Sequence, residues 1–460
     1  MRSKVALLGI FTFAFLLQLL TFPPWNTLTY DGALYICIAR SLTQGITNFT
    51  YQGIYMMYRP PLYPYTLSLF FHFINDPLFQ LKVARIISAV FFAMTATLTY
   101  KFAGEIFEGK NVEGILATLF FIFNGLALTM GGRELVHSEF TFFYTLAVYL
   151  FYTGRKLKKP KRIYGAFISA GLAILTRYTG LSIVGVFLAY LWIIDDLKWV
   201  RKKEYLIGFF LLFLTLLPWL YMGHLYYGGF LRPFEIANRV VTLDKPTSVV
   251  QFLSLLIEDV GIVLPVLAVF GLLLLEKDEK GWLLISWVLV GFGMIMMVIH
   301  KETRFITFLS PALGILVAYF IHKASLLINF FRRDKIKQEV IAIVLGIILL
   351  IPIAQAGFSL KNRWNSFGVY DSEVLLFASK NYPASSILVS PSLYTMAGFY
   401  YPGAKVDMIL NKEAVRDKIL NGYYEVVIYK GEGPYLNLVK ERYKLVKEFY
   451  GGKFKVFIKD

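Results

Sequence analysis

Cysteine is almost absent from this chain of 460 residues, which has only Cys37. A single cysteine excludes an intramolecular disulfide and a cysteine-based metal site. Charge is also scarce, because charged residues make up 17% of the chain, whereas soluble proteins carry about 25%. Negatively charged residues are the rarer kind: the chain has 30 Asp and Glu and 47 Lys and Arg, which gives a formal net charge of +17. Sequence repeats and low-complexity segments are lacking as well.

Apolar residues are correspondingly frequent. They make up 57% of the chain, and the mean hydropathy is +0.59. A transmembrane helix needs about 20 mostly apolar residues, and the sequence predicts a polytopic α-helical membrane protein with about eleven such helices. These spans are predicted near residues 4–22, 82–103, 112–130, 140–154, 163–177, 179–195, 205–223, 252–275, 281–299, 304–322 and 338–357.

The basic residues predict how the chain is oriented. They cluster in the short loops 155–162, 198–203 and 332–337. Loops rich in Lys and Arg stay in the cytoplasm, so the N-terminus is predicted to be cytoplasmic and everything after the last span to lie outside. The net charge is thereby explained by loops at a lipid bilayer, with no nucleic-acid partner. We expect a multi-pass protein of the plasma membrane that keeps its first apolar run, because no small-x-small cleavage site precedes Pro23-Pro24.

The composition changes near residue 358, where apolar runs shorten to strand length at 387–389, 426–429 and 454–458. Between these strands we predict helices capped by Asp371 and by Asn411. Residues 358–460 are therefore predicted to form a small extracytoplasmic α/β domain. Residues 1–357 are predicted to form the transmembrane domain, with helices lying in the membrane interface within the loop 23–81. We also expect the outer loop 224–251 to be mobile and to close over a ligand.

Charged side chains at the outer ends of the spans are the candidates for chemistry, since a charge at membrane level is costly unless it is paired or functional. Several carboxylates and arginines at one depth are typical of a site that binds an anion and moves a proton. The residues are Asp31, Arg59, Arg133, Glu134, His137, Glu139, Arg177, Arg232, Glu235, Arg239, Lys301, Glu302 and Arg304.

Each candidate also has a simpler interpretation. Asp31 is placed to be the N-cap of the helix that follows it, and Glu139 to complement a helix dipole. Arg177 and Arg304 are placed to extend toward lipid headgroups. His137 is a weak candidate for a divalent metal ligand, together with Glu134 or Glu139, and is equally an ordinary polar residue.

Five segments, in order, resemble the integral-membrane glycosyltransferases of the C-type fold. The resemblance is closest to glycosyltransferase family 39, the protein O-mannosyltransferases and the lipid A aminoarabinose transferase. Tyr30-Asp31-Gly32-Ala33-Leu34-Tyr35 resembles the acidic motif after the first span, although Gly32 stands where the family often has a second acid. The others are Arg59-Pro60-Pro61-Leu62-Tyr63-Pro64, Gly132-Arg133 with Glu139, Thr176-Arg177-Tyr178-Thr179-Gly180, and Arg304-Phe305 with Pro311.

The resemblance implies a glycosyltransferase that moves a sugar from a polyprenyl-phosphate-linked donor to an acceptor hydroxyl outside the cytoplasm, with inversion. The acceptor is a lipid, a glycan or a protein. Asp31 would be the catalytic base and Glu139 a second catalytic carboxylate, which positions a substrate or shares a divalent metal. The donor phosphate would bind Arg59, Arg177 and Arg304. Contacts to the acceptor or to loops would come from Tyr35, Arg133, Tyr178 and Arg232.

Two other classes of protein fit a chain with many spans. A transporter or lipid flippase usually shows internal repeats, spans broken at Gly or Pro, and charges near the midplane. The sequence shows neither repeats nor broken spans clearly, and its charges lie at one face. A non-catalytic scaffold subunit would keep the fold and tolerate neutral residues in place of Asp31 and Glu139.

Overall fold

The computed structural model describes residues 2–24, 27–243, 246–330, 335–364 and 368–459. Arg332, Arg333 and Asp334 of the third basic loop therefore lie outside the described residues. The chain divides into two compact units. Unit 1 comprises Met1–Phe22, Met57–Tyr63 and Arg85–Arg363, and unit 2 comprises Pro23–Met56, Pro64–Ala84 and Trp364–Asp460.

Helices dominate the chain. Those up to the end of the apolar part are α1 (Arg2–Leu20), α2 (Tyr30–Leu42), α3 (Leu62–Phe71), α4 (Pro77–Ile106), α5 (Asn111–Ile122), α6 (Gly125–Gly131), α7 (His137–Lys156), α8 (Pro160–Thr176), α9 (Ser182–Asp195), α10 (Lys203–Tyr227), α11 (Arg232–Leu243), α12 (Val249–Val260), α13 (Val263–Leu273), α14 (Glu279–Met297), α15 (Ser310–Phe330) and α16 (Lys335–Trp364). Short 3₁₀ segments connect some of them, at Tyr178–Leu181, Asp196–Arg201 and Thr303–Leu309.

The last part of the chain mixes helices and strands. Its helices are α17 (Val369–Asn381), α18 (Tyr394–Tyr400), α19 (Glu413–Leu420) and α20 (Leu436–Arg442). The strands, including a small hairpin early in the chain, are β1 (Thr50–Tyr51), β2 (Ile54–Tyr55), β3 (Ser386–Val389), β4 (Lys405–Met408), β5 (Val426–Lys430), β6 (Tyr443–Phe449) and β7 (Phe454–Lys459).

Within the described residues, five helical segments are long and apolar enough to cross a membrane: Pro77–Ile106, Tyr178–Arg201, Lys203–Tyr227, Glu279–Met297 and Thr303–Leu326. The number rises to seven if each of two bent helix pairs is one span. Two shorter apolar helices are Lys4–Leu20 and Gly346–Lys361. The membrane-spanning character of the chain is supported, whereas the predicted count of eleven stays a prediction.

Two predicted spans are not continuous helices. The chain bends by 67° between α5 and α6 and by 106° between α12 and α13. At the first bend, the Asn124 side chain accepts hydrogen bonds from the backbone N–H groups of Leu126 and Ala127 and so starts a new helix. At the second, Gly261 has a φ of +79°, which ends α12. The expectation of unbroken spans was wrong, and it no longer counts against a transporter.

The interior of unit 1 is rich in aromatic rings. Trp287 of α14 stacks with Phe102 of α4 and Tyr144 of α7, at centroid distances of 6.2 and 6.0 Å. Phe308 packs against Tyr144 and Phe140, with centroids 4.6 and 5.3 Å apart. These contacts hold the 3₁₀ segment Thr303–Leu309 against the N-terminal half of α7.

Unit 2 contains a five-stranded sheet of order β4-β3-β5-β7-β6. The β3 strand is parallel to β4 and β5, whereas β7 is antiparallel to β5 and β6. The three predicted strands correspond to β3, β5 and β7. The predicted caps were wrong: Asp371 lies inside the first turn of α17, which starts after Gly368, and α19 starts after Lys412. Asn411 instead accepts a hydrogen bond from the Tyr435 hydroxyl.

The first loop contributes helix α2 and the β1–β2 hairpin to unit 2, where both pack with residues from the end of the chain. Arg40 of α2 donates hydrogen bonds to the Gln80 side-chain oxygen, at 3.0 and 2.7 Å, and to the carbonyl oxygen of Phe399, at 3.5 Å. In the hairpin, the Tyr51 hydroxyl donates to the carbonyl oxygen of Tyr394 at 2.7 Å. Helix α2 therefore packs against α18, and its position in the membrane interface stays a prediction.

Candidate active site

The N-terminus of α7 brings two candidate residues together inside unit 1. His137 is the first residue of the helix and Glu139 lies in its first turn, and both are buried. The Ser138 hydroxyl between them donates to the carbonyl oxygen of Gly131 at 3.1 Å, which fixes the start of α7 against the end of α6. A carboxylate in this position is stabilised by the helix dipole. The structural and the functional interpretation of Glu139 are therefore compatible.

The loop before α7 is held by a buried ion pair. Arg85 Nε donates to Glu134 Oε2 at 2.8 Å, and neither side chain is exposed. Burial raises the pKa of Glu134, but the charges of Arg85 and Arg133 and the hydrogen bond from Arg85 more than offset it, so the pKa lies below its ordinary value. Arg85 was not among the residues predicted from the sequence, although a charged residue inside a predicted span was the signal for it.

Arg177 connects α7 to the 3₁₀ segment Thr303–Leu309. It is an extended residue between α8 and the turn Tyr178–Leu181. Its Nη1 atom lies 3.1 Å from Nδ1 of His137. Because a guanidinium group has only donors, His137 Nδ1 is the acceptor in this contact. The Arg177 guanidinium carbon also lies 4.1 Å from the ring centre of Phe305.

Arg304 approaches the same ring. Its guanidinium carbon lies 6.0 Å from the ring centre of Phe305. Its Nε and Nη2 atoms donate to the two carboxylate oxygens of Glu302, at 2.5 and 2.9 Å. His300 Nε2 lies 3.5 Å from Glu302 Oε1. Two of the three predicted phosphate ligands therefore converge on one aromatic ring.

Arg59 is the third predicted phosphate ligand. Its segment is hydrogen-bonded to the residue that follows Arg177. The hydroxyl of Tyr178, the residue after Arg177, donates to the carbonyl oxygen of Met57 at 2.9 Å. It also accepts a hydrogen bond from Trp219 Nε1 at 2.8 Å. The Arg59 guanidinium carbon lies 5.3 Å from the ring centre of its neighbour Tyr58. A continuous set of contacts within unit 1 thus connects the segments that carry Arg59, Arg177 and Arg304.

Other candidates lie elsewhere. Arg232, at the start of α11, forms an ion pair with Glu235 at 2.6 Å, and both side chains are about half exposed. Asp31 and Tyr35 belong to α2 in unit 2, where Tyr35 is buried. The N-cap of α2 is Thr29, whose hydroxyl accepts from the Gly32 backbone N–H at 3.0 Å. The simpler interpretation of Asp31 as the cap was therefore wrong, and Asp31 lies in the first turn.

Metal ligation was predicted only weakly, for His137 and Glu134. Across the residues that the structure describes, no group of three or more His, Cys, Asp or Glu side chains is placed to hold a metal ion. Glu134 contacts Arg85, and His137 contacts Arg177. Both are therefore next to a guanidinium group, whose positive charge opposes a second cation at that place.

The sequence matches known proteins over part of its length. Residues 58–222 match the family model described as dolichyl-phosphate-mannose-protein mannosyltransferase. This range includes Arg59, Arg133, Glu139 and Arg177. An uncharacterized protein of Aquifex aeolicus (strain VF5) is 28% identical over 288 residues, which are 60% of this chain. The chain spans 55% of the length of that relative.

Solved structures match over nearly the whole chain. The crystal structure of ArnT from Cupriavidus metallidurans bound to undecaprenyl phosphate has a TM-score of 0.74 at 14% identity, covering 98% of this chain and 97% of that one. The archaeal oligosaccharyltransferase AglB from Archaeoglobus fulgidus, in complex with an inhibitory peptide and a dolichol-phosphate, has a TM-score of 0.64 at 12% identity, covering 93% and 69%. Together with the family model, these matches confirm that the chain has the fold of the C-type integral-membrane glycosyltransferases.

Proposed function

We propose that this protein is a glycosyltransferase that moves a sugar from a polyprenyl-phosphate-linked donor to an acceptor hydroxyl on the outer side of the plasma membrane, with inversion of the anomeric carbon. The observation that carries the proposal is the set of contacts joining the segments of Arg59, Arg177 and Arg304, in a chain that matches the mannosyltransferase family model over residues 58–222. ArnT bound to undecaprenyl phosphate and AglB with a dolichol-phosphate support a lipid-phosphate donor.

The arginines suit a phosphodiester on chemical grounds. A guanidinium group donates two parallel hydrogen bonds to phosphate oxygens, and its charge does not depend on pH in the physiological range. Phe305 contributes a flat apolar surface against both Arg177 and Arg304. In the proposal, these groups bind the donor phosphate and stabilise the extra negative charge that develops on it as the sugar leaves.

Carboxylates complete the proposed reaction. The acceptor oxygen attacks the anomeric carbon, the bond from that carbon to the phosphate oxygen breaks, and the polyprenyl phosphate leaves. Asp31, assigned through the resemblance of its motif, takes the proton of the acceptor hydroxyl. Glu139 orients a substrate from the first turn of α7. Glu134 and His137 contact guanidinium groups, so a divalent metal would need ligands other than these two residues.

The remaining predicted assignments follow from the same proposal. Residues 1–357 bind the donor, and residues 358–460 form an outer domain that assists recognition of the acceptor. Tyr178 contributes by holding the segment of Arg59. Tyr35, Arg133 and Arg232 stay predicted contacts to the acceptor or to loops.

Loss of sugar from a defined donor tests the proposal. Purified protein is incubated with undecaprenyl-phosphate-linked and dolichyl-phosphate-linked sugars, with water in place of the acceptor hydroxyl, and release of the polyprenyl phosphate is measured. We expect release by the wild type and none by Asp31→Asn. The matched control is Asp417→Asn on an exposed face of α19, which we expect to be fully active. A normal rate in Asp31→Asn, with an unchanged melting temperature, would remove Asp31 from the role of the base.

A further inference from the structure

Glu302 holds Arg304 in one orientation. The two hydrogen bonds of 2.5 and 2.9 Å run from Nε and Nη2, which form one edge of the planar guanidinium group, to both carboxylate oxygens. Because the group is planar and rigid, the edge that carries Nη1 is directed away from Glu302. The carboxylate therefore determines which edge of Arg304 is presented to a ligand.

The same carboxylate places a negative charge next to this guanidinium group. The Nζ atom of the neighbouring Lys301 is buried and donates to the carbonyl oxygen of Thr247 at 3.2 Å. His300 is the other cationic candidate, at 3.5 Å from Glu302 Oε1. The Coulomb repulsion between a fixed negative charge and an anionic ligand is proportional to the charge of the ligand. The fixed charge therefore reduces the binding free energy of a dianion about twice as much as that of a monoanion.

We propose that Glu302 determines charge specificity at the donor phosphate, favouring the singly charged phosphodiester donor over the doubly charged polyprenyl phosphate product. This inference rests on the proposed function. A phosphodiester carries one negative charge at any pH above about 2, whereas a phosphomonoester gains its second charge near pH 6. Transfer of the sugar therefore converts a singly charged ligand into a doubly charged one, which Glu302 repels more strongly. Glu302 thus promotes release of the lipid product, a step that limits the rate of many enzymes.

Two lipids that differ only in charge test the inference without knowledge of the sugar. They are undecaprenyl phosphate and its methyl ester, and their dissociation constants are measured with the purified full-length protein. At pH 8, Glu302→Gln should tighten binding of undecaprenyl phosphate about tenfold more than binding of the methyl ester. At pH 5 both lipids carry one charge, and the difference between them should disappear.

Two variants serve as controls. Glu302→Asp keeps the charge and should discriminate between the two lipids as the wild type does. Glu276→Gln removes the carboxylate from the exposed ion pair with Lys323 and should change neither dissociation constant. If Glu302→Gln does not fold, Glu302→Ser makes the same change in charge with a smaller side chain.

The outcomes separate the inference from the function on which it rests. Equal effects of Glu302→Gln on both lipids at pH 8 would show that Glu302 only orients Arg304, and would overturn the inference while leaving the proposed donor in place. Failure of the wild type to bind either lipid would overturn the proposed donor, and the inference with it.

Discussion

Arg85 and Glu134 bring opposite charges within 2.8 Å of each other, with no exposed surface on either side chain. Such a pair stabilises the fold only as long as both partners are present, because removing one leaves a buried charge without compensation. Here the pair restrains the loop that leads into α7, and therefore the position of His137 and Glu139. We regard the two residues as structural supports of the candidate site, not as catalytic groups.

Replacement of one partner of this pair should be costly. We expect Glu134→Gln to lower the free energy of unfolding by about 3–5 kcal/mol, because Arg85 keeps its charge in a buried place. The double variant Arg85→Met/Glu134→Leu should lose less than the sum of the single variants. Unfolding of the purified protein in detergent measures both. Glu441→Gln, at an exposed position, should change stability by less than about 0.5 kcal/mol.

The pair also predicts how stability depends on pH. Since the pKa of Glu134 is lower in the folded protein, its contribution is present above the unfolded pKa of about 4.3 and is lost as the pH falls through the lower folded pKa. Acidification below about pH 4 should therefore destabilise the wild type more than Glu134→Gln. Equal acid sensitivity in the two proteins would contradict the assignment of the charge to Glu134.

Loss of Arg304 should act on the donor. We expect Arg304→Ala to weaken binding of the donor by about ten- to a hundredfold, which is the loss typical of hydrogen bonds to a charged group. The effect on binding of the acceptor should be smaller. The Michaelis constants for the two substrates measure this difference. Arg201→Ala, the same change on an exposed segment of unit 1, is the control. An unchanged donor constant would refute the phosphate assignment.

Residue type and predicted depth selected Arg177 and Arg304 from the sequence, because arginine is disfavoured on the side of the membrane where the topology predicts them. Their role as phosphate ligands stays a prediction. The partner of Glu134 was not predictable, because Arg85 lies 49 residues away and the sequence does not say which buried charges meet. The cap of α2 was missed for a related reason: Thr29 and Asp31 are both good capping residues, and only the backbone shows where the helix starts.

At the scale of elements, the two helix bends meet at one place in unit 1. The end of α12 lies against the start of α6, so that a Cβ atom on Gly125 would come within 2.1 Å of the carbonyl oxygen of Asp259. The same carbonyl accepts a hydrogen bond from the Ser359 hydroxyl at 2.6 Å. The Asp259 side chain accepts one from Thr303, the residue before Arg304. The bends thus help to position the segment that carries a proposed phosphate ligand.

A pair of glycine variants tests this junction. Gly125→Ala should destabilise the protein and reduce donor binding, because the new methyl group meets backbone atoms that cannot move aside. Gly293→Ala, inside α14, has no atom within 4 Å of its new Cβ and should be neutral or slightly stabilising, since Ala favours a helix. Melting temperatures and donor affinities of both variants are measured side by side. A milder effect of Gly125→Ala than of Gly293→Ala would refute the close approach of α12 to α6.

Apolar composition predicted the position of these elements better than their continuity. Hydropathy records whether a stretch can lie in lipid, and both 112–130 and 252–275 can. It does not record where a helix is interrupted, which depends on a local cap such as Asn124 or a left-handed residue such as Gly261. The strands β3, β5 and β7 were predictable because they are short apolar runs. By contrast, β4 and β6 have exposed and half-buried positions that weaken this signal.

At the scale of the whole molecule, the order of five weak motifs predicted the C-type fold that the comparisons confirm. No single motif is specific, but their order along the chain restricts the possible folds. Orientation in the membrane is still a prediction from the basic loops. It can be measured because the chain has one cysteine, which is buried. Burial raises the pKa of the Cys37 thiol to about 11, so the reactive thiolate is scarce at neutral pH.

Labelling of introduced cysteines in intact cells should establish orientation. We expect Lys412→Cys, in the predicted outer domain, to react with a membrane-impermeant maleimide at pH 7. Lys161→Cys, in a predicted cytoplasmic loop, should react only after the membrane is permeabilised. Both side chains are exposed, and the wild type should stay unlabelled. The reverse pattern would invert the predicted topology and place the candidate residues on the cytoplasmic side.

The hydrogen bond from Arg40 to the carbonyl oxygen of Phe399 joins residues that are 359 positions apart. A ribosome adds about 5–20 residues per second, so α2 leaves it roughly 20–70 s before the partner residue exists. During that interval the helix that carries Asp31 is without the contacts it makes in the finished unit 2. A nascent or truncated polypeptide that ends before α18 therefore lacks the backbone carbonyl oxygen that Arg40 contacts, and synthesis of α18 sets the earliest moment at which the helix of the acidic motif can make this contact.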